Sequence, residues 1–167
     1  HVTAYLDGTD EDHVRAAAEA AMAKGSLKLI IAETPANPTA AIVDLDLMVR
    51  IADEIGAKQG NRPLVVVDNT LLGPFAQRPI AHNVDLCMTS LTKYCGGHSD
   101  LLAGGISGRK ELIEQLKLQR TTWGNHLDPF TAWLVLRSLE TVSVRTERAM
   151  SNARLVAEYL RDHPKVA

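Results

Sequence analysis

A chain of 167 residues, 46% apolar and 23% charged, has the makeup of one globular domain with a real core. Its 18 basic and 20 acidic residues leave a net charge of −2, which offers no general attraction to nucleic acid or to an anionic membrane surface. No apolar run approaches a bilayer span, and Cys87 and Cys95 are too few for a disulfide framework, so a reducing cytoplasm is the expected compartment.

In chain order, short apolar runs alternate with helical patterns, as in a parallel sheet covered by helices. Val2–Leu6 reads as a strand, and Thr9-Asp10-Glu11-Asp12 as a cap with an acidic first turn. An alanine-rich helix follows to about Lys24, then a second strand at Leu27–Ala32. Asp44 caps a helix whose Leu45, Met48, Ala52 and Ile55 share one face. Leu64-Val65-Val66-Val67 is apolar without alternation, which predicts a strand buried on both faces. Val84–Met88 is the next strand and Leu101–Ser107 another. After Arg109 the pattern is helical. Asp128-Pro129 is a cap followed by proline in the first turn. Thr141 to about Arg161 reads as one long helix with Val144, Ala149, Ala153, Val156 and Leu160 inward, ending at His163-Pro164. The chain opens strand-like without an initiator methionine and stops where a new element is expected, so a piece of a longer protein is the expectation. The fold class read from this order is α/β, a partial sheet with a helical exit.

Polar residues follow three of these strands: Glu33-Thr34-Pro35-Ala36-Asn37-Pro38, Asp68-Asn69-Thr70, and Ser90, Thr92 and Lys93. The carboxyl ends of parallel strands share one edge, where ligands bind. A carboxylate, an amide, two hydroxyls and a lysine on that edge suit a phosphorylated, ring-bearing aldehyde. A lysine held as an imine avoids the cost of a buried ammonium. Ser90 and Thr92, two apart on extended backbone, would point the same way as donors to a phosphate. Gly96 and Gly97 permit a tight backbone after them. An acid such as Asp68 against a pyridine nitrogen would strengthen the ring as an electron sink.

Each residue also has a plainer reading. Lys93 alone is an ordinary solvated lysine, Asp68 a cap of the next turn, and Ser90 and Thr92 turn hydroxyls bonding their own backbone. Asn37 between two prolines suits a turn as well as a ligand. Gly104-Gly105-Ile106-Ser107-Gly108-Arg109-Lys110 lacks the ending of a nucleotide phosphate loop. His98 and His82 lack the carboxylate or thiol spacing of a metal site, so no metal is expected and His98 reads as fixing the glycine loop. Cys95 reads as an inert filler, and Trp123 and Trp133 as core or subunit-contact residues.

Glu33-Thr34-Pro35-Ala36-Asn37-Pro38, Val67-Asp68-Asn69-Thr70 and Ser90-Leu91-Thr92-Lys93-Tyr94-Cys95-Gly96-Gly97-His98-Ser99-Asp100 resemble, in that order, the cystathionine γ-synthase family of pyridoxal-phosphate enzymes. Leu127-Asp128-Pro129-Phe130-Thr131-Ala132-Trp133 and Arg145-Thr146-Glu147-Arg148 resemble its later segments. The resemblance implies the three-layer, mostly parallel sheet of a fold-type-I large domain, like that of aspartate aminotransferase, here incomplete. Residues 1–140 would be its C-terminal half, and 141–167 a connecting helix and the start of a missing C-terminal domain. It implies pyridoxal 5'-phosphate as cofactor and elimination or replacement at the β or γ carbon of sulfur-containing or O-acylated amino acids. Lys93 would form the Schiff base and shuttle protons. Asp68 would pair with the ring nitrogen, Ser90 and Thr92 would hold the phosphate, and Asn37 would lie near the phenolic oxygen, its loop positioned by Glu33. A small amino-acid substrate and a homotetramer, a dimer of dimers, are implied as partners. An aminotransferase or other enzyme on the same fold, and a non-catalytic cofactor-binding module, are the alternatives.

The family has a small residue at Leu91, an aliphatic one at Cys95, and fewer residues where Gly60-Asn61-Arg62-Pro63 stands. Its upstream phosphate loop, its ring-stacking tyrosine, the tyrosine and arginine lent by a neighbouring subunit, and a later carboxylate-binding arginine have no match here. The chain alone is therefore not expected to turn over.

Overall fold

The computed structural model describes residues 8–166, so the strand expected at Val2–Leu6 lies outside the described residues. The chain divides into two compact units. One takes the chain up to Ser90 together with Gly104–His126, and the other takes Leu91–Ala103 with the chain from Leu127 onward.

The first unit is built on helix caps and a sheet. Asp10, rather than Thr9, accepts the His13 amide and starts α1, Glu11–Met22. Asp44 accepts the Leu47 amide and starts α2, Leu45–Gln59, which Gly60 ends in the left-handed conformation at φ 73°. The face expected from the periodicity is the face that packs: Leu45, Met48, Ala52 and Ile55 are all buried, joined by Leu47 and Ile51.

Four strands form one sheet in the order β1 (Leu29–Glu33), β2 (Leu64–Asp68), β3 (Leu86–Ser90) and β4 (Gly104–Gly108). The first three run parallel; β4 pairs antiparallel with β3. β1 starts two residues later than expected because Leu27 is taken by a side chain. Its amide donates to Gln59 Oε1 at 3.0 Å and its carbonyl accepts from Gln59 Nε2 at 2.7 Å. β3 also begins and ends two residues later, which puts Ser90 on the strand itself.

Val65 and Val67 face the helices in a core with Val14, Ile30, Ala32 and the buried face of α2. Val66 is only half-buried, and on its face of the sheet Ile31 and Ile106 are exposed. The expectation of a strand sealed equally on both faces therefore fails: β2 alternates, because α1 and α2 cover one side of it. Asp68 registers with Glu33 and Met88, and Met88 with Ile106, so the carboxylate belongs to the face opposite α1 and α2. A short α3, Gly73–Ala76, and a 3₁₀ turn at Pro79–His82 connect β2 to β3. α4, Lys110–Trp123, follows β4.

In the second unit, a wide helical turn at Leu91–Cys95 leads to an irregular segment and then to two helices. Asp128 accepts the Thr131 amide with Pro129 in the first turn, and α5 runs Pro129–Leu139. α6 runs Val142–Arg161. The core here is small: Leu101, Leu134 and Val135, with Leu91 and Ala103 against them. The inward stripe expected on α6 is not buried. Val144, Ala149, Ala153, Val156 and Leu160 are exposed, and of the apolar residues of α6 only Val142 is buried, because no element of its own unit covers the rest of that helix. Trp123 and Trp133 are also exposed, so neither is a core residue.

Candidate active site

Within the first unit, β1, β2 and β3 end side by side at Glu33, Asp68 and Ser90. The expected polar rim therefore exists, although these residues close the strands rather than follow them. Thr70 ties the rim together. Its amide and hydroxyl both donate to Asp68 Oδ1, at 3.0 Å and 2.5 Å, and its hydroxyl oxygen accepts the Ser90 amide at 2.9 Å. The plain reading of Asp68 is thus correct for one oxygen, which caps the turn. Oδ2 makes no hydrogen bond among the described residues, and the side chain is half-buried. Ser90 Oγ is likewise unpartnered among the described residues.

Behind the rim lies a buried amide network. Asn69 Nδ2 donates to the carbonyls of Gly73 and Gln77, at 2.8 Å and 3.0 Å. Gln77 Nε2 returns to Asn69 Oδ1 at 3.1 Å and to the Thr34 carbonyl at 3.3 Å. Thr34 is fully buried; its amide donates to the Asp68 carbonyl and its hydroxyl accepts the Val43 amide. These bonds fix the loops after β1 and β2 to each other. Asn37 is exposed, and its amide donates to Glu33 Oε1 at 3.3 Å, so Glu33 does hold that loop.

Within the second unit, the turn at Leu91–Cys95 carries Thr92 and Lys93. It is not extended, so the two-residue alternation used to align Ser90 with Thr92 does not apply. Thr92 Oγ1 donates to the Ala103 carbonyl at 3.2 Å and accepts the Ala103 amide at 2.9 Å. Its one hydroxyl proton is committed there. Lys93 breaks the helical dihedrals at φ −84°, ψ −118°, and its side chain is exposed with no hydrogen bond or ion pair among the described residues. Gly96 donates to the Leu91 carbonyl and Gly97 to the Lys93 carbonyl, both at 2.7 Å. His98 Nδ1 lies 2.7 Å from the Gly96 carbonyl, the loop-fixing role expected of it. Leu91, one of the departures from the resemblance, packs on Leu101, Leu134 and Val135. Cys95 is buried, and burial pushes its thiol above the ordinary cysteine range, as burial also does for Cys87 in the first unit. Burial and a raised pKa argue against a nucleophilic role for either thiol.

Thr70, Asn69, Gln77 and Arg145 were not singled out as site residues by the sequence reading. Thr70 and Asn69 stood inside the quoted Asp68-Asn69-Thr70 segment, where the hydroxyl two residues after an aspartate was the available signal. Gln77 had none, being 43 residues from its partner Thr34. Among the described residues no cluster of His, Cys, Asp and Glu could hold a metal ion, and no helix is long and apolar enough to cross a membrane.

The family model of Cys/Met metabolism PLP-dependent enzymes matches residues 2–167. The chain belongs to this family. It is 38% identical over 163 residues to a probable cystathionine gamma-synthase of Herpetosiphon aurantiacus, covering 97% of this chain and 48% of that protein. It is 40% identical over 164 residues to a cystathionine beta-lyase of Coxiella burnetii, covering 97% of this chain and 40% of that one. The crystal structure of an apo methionine gamma lyase from Micromonospora echinospora superposes with a TM-score of 0.85 at 37% identity, over 96% of this chain and 42% of that chain. The chain thus spans less than half the length of the relatives it matches. The α/β fold with its mostly parallel sheet is that of these PLP-dependent relatives.

Proposed function

We propose that the whole protein is a pyridoxal-phosphate-dependent lyase or transferase. Its reaction would be elimination or replacement at the β or γ carbon of a sulfur-containing or O-acylated amino acid. The observation that carries this is the family match over residues 2–167, joined to a Lys93 amine that has no partner among the described residues and stands in a segment that resembles the family's lysine motif. The relatives named above are a synthase, a β-lyase and a γ-lyase, so the reaction type within the family is left open.

Each candidate keeps a group that such a cofactor could use: among the described residues, Lys93 Nζ, Asp68 Oδ2 and Ser90 Oγ make no hydrogen bond. When bound, the cofactor supplies an electron sink for negative charge at the substrate α carbon. Lys93 would hold it covalently through Nζ and, once released, take up the α proton there. Asp68 Oδ2 would accept the hydrogen bond of the protonated ring nitrogen, while Thr70 on Oδ1 keeps the carboxylate in one orientation. Ser90 Oγ would donate to the phosphate; Thr92 would need to redirect its proton from the Ala103 carbonyl to do the same. Asn37 would lie beside the phenolic oxygen. Residues 1–140 would then form the second half of a large cofactor-binding domain, and 141–167 a connecting helix. A cytoplasmic homotetramer acting on a small amino acid is part of the same proposal.

In the complete protein, Lys93→Ala is expected to abolish the borohydride-stable attachment of pyridoxal phosphate, read by peptide mass, and to lower turnover at least 10³-fold. Attachment that persists elsewhere in the variant sinks the assignment. Products from cystathionine, methionine and O-acylhomoserine separate elimination and replacement from transamination. Cofactor binding without turnover of any of them favours a binding module.

A further inference from the structure

We infer that Arg145 is a positioning residue for Lys93: its guanidinium holds the turn that carries the amine. The inference rests on the role proposed above for Lys93. Nη1 donates to the Tyr94 carbonyl at 2.8 Å, and Nη2 to the Cys95 carbonyl at 3.0 Å. Nη2 also donates to the Ser138 carbonyl at 2.8 Å, and Nε to Thr141 Oγ1 at 3.1 Å. A single side chain on the first turn of α6 thus joins the two carbonyls that follow Lys93 to the end of α5. All of these residues lie within the second unit.

The turn needs such a partner. It is five residues long, Lys93 departs from helical dihedrals in its middle, and the Gly96 and Gly97 amides return to its Leu91 and Lys93 carbonyls, which leaves those of Tyr94 and Cys95. Its last carbonyls carry partial negative charge and have no amide of the turn left to accept from. A guanidinium meets them with a rigid, permanently charged fork, whereas an ammonium is a point charge on a flexible stem. Gly97 makes room for that fork. Gly97 sits at φ 76°, and a Cβ there would come within 2.1 Å of Arg145 Nη1. At Gly96 a Cβ would press on the Leu91 carbonyl at 2.8 Å. Upstream of Lys93, Leu91 is fixed by the apolar cluster; downstream, Tyr94 and Cys95 are fixed by Arg145. The lysine side chain between these anchors makes no bond among the described residues. That combination, fixed backbone and free amine, is what a nucleophile aimed at one aldehyde carbon requires.

The test uses the complete protein stripped of cofactor, with Arg145→Lys, Arg145→Ala, Gly97→Ala and, as a control, the exposed Lys117→Ala. The first-order rate of borohydride-trappable attachment at saturating pyridoxal phosphate is measured beside the half-saturating concentration. Hydrogen exchange at the Gly96 and Gly97 amides and far-ultraviolet circular dichroism are followed in parallel. Misplacing a reacting group by about 1 Å slows it on the order of 100-fold. Arg145→Ala and Gly97→Ala are therefore expected to lower the rate by 10- to 100-fold, Arg145→Lys by about 10-fold, and Lys117→Ala not at all. Half-saturation should shift less than the rate, and both glycine amides should exchange faster. Wild-type rates in Arg145→Lys and Gly97→Ala overturn the inference. So does loss of helical signal in both, which assigns Arg145 to the fold. If wild-type protein forms no trappable attachment, the cofactor role of Lys93 fails and this inference with it. Attachment in wild type with unaffected variants refutes the positioning role alone.

Discussion

Asp85 carries the buried carboxylate of the first unit, with its side chain only 4% exposed. Oδ2 accepts the Val65 amide at 2.6 Å and Arg62 Nη1 at 2.7 Å, and Oδ1 lies 2.8 Å from Arg109 Nη2. Asp85→Ala removes the buried charge itself and leaves the fully buried Val65 amide without its acceptor, while Arg62 and Arg109, 30% and 55% exposed, can turn to water. It is expected to lower stability by about 1–3 kcal/mol in urea denaturation, and Asp85→Asn by less, since its amide oxygen can still accept. A loss below about 0.5 kcal/mol for the alanine variant would show that the Val65 amide finds another acceptor. None of this was legible at residue scale. Asp85 lay inside what reads as an apolar strand, and Arg62 lies 23 residues away. Arg62 belongs to the segment read as a few extra residues before the Asp68 strand, so that segment contributes a pairing partner as well as length. The catalytic candidates were legible for the opposite reason: Asp68 and Lys93 stand in compact local motifs whose chemistry is carried by adjacent residues.

At the scale of elements, what sequence showed well was where helices start. Asp44 and Asp128 cap as read, because the cap bond is made within three residues. β1 starts two residues later than read because Gln59 takes both backbone groups of Leu27. The Asp128 cap also sets a pH dependence. Its hydrogen bonds with Thr131, side chain first and then amide, hold the carboxyl below its ordinary 3.8 in the folded chain. A depressed folded value means the cap stabilises above the unfolded pKa and is lost as pH falls through the folded one. The difference in melting temperature between wild type and Asp128→Ala is therefore expected to stay constant from pH 7 to about pH 5, then shrink toward zero below about pH 3. A difference that persists undiminished at the acid end would mean that the charged form of Asp128 contributes nothing to the cap.

Across the whole molecule the two units are unequally built, and each can be judged by itself. The first has a broad core in which Val65 and Val67 are fully buried, and the Val65 amide ends on the buried Asp85. The second has a core of three buried apolar residues, and its longest helix exposes Val144, Leu155, Val156 and Tyr159. Helix formation alone is marginal at this length in water, so α6 depends on its first turn, where Val142 is buried and Arg145 is bonded. Local opening follows such differences in burial. In the 167-residue chain, amides of α6 beyond Met150 are expected to exchange at least about 100-fold faster than those of Val65 and Val67. Protection in α6 should decline steadily from its first turn toward Arg161. Uniform protection along α6, equal to that of the central strand, would mean that another surface shields its apolar face.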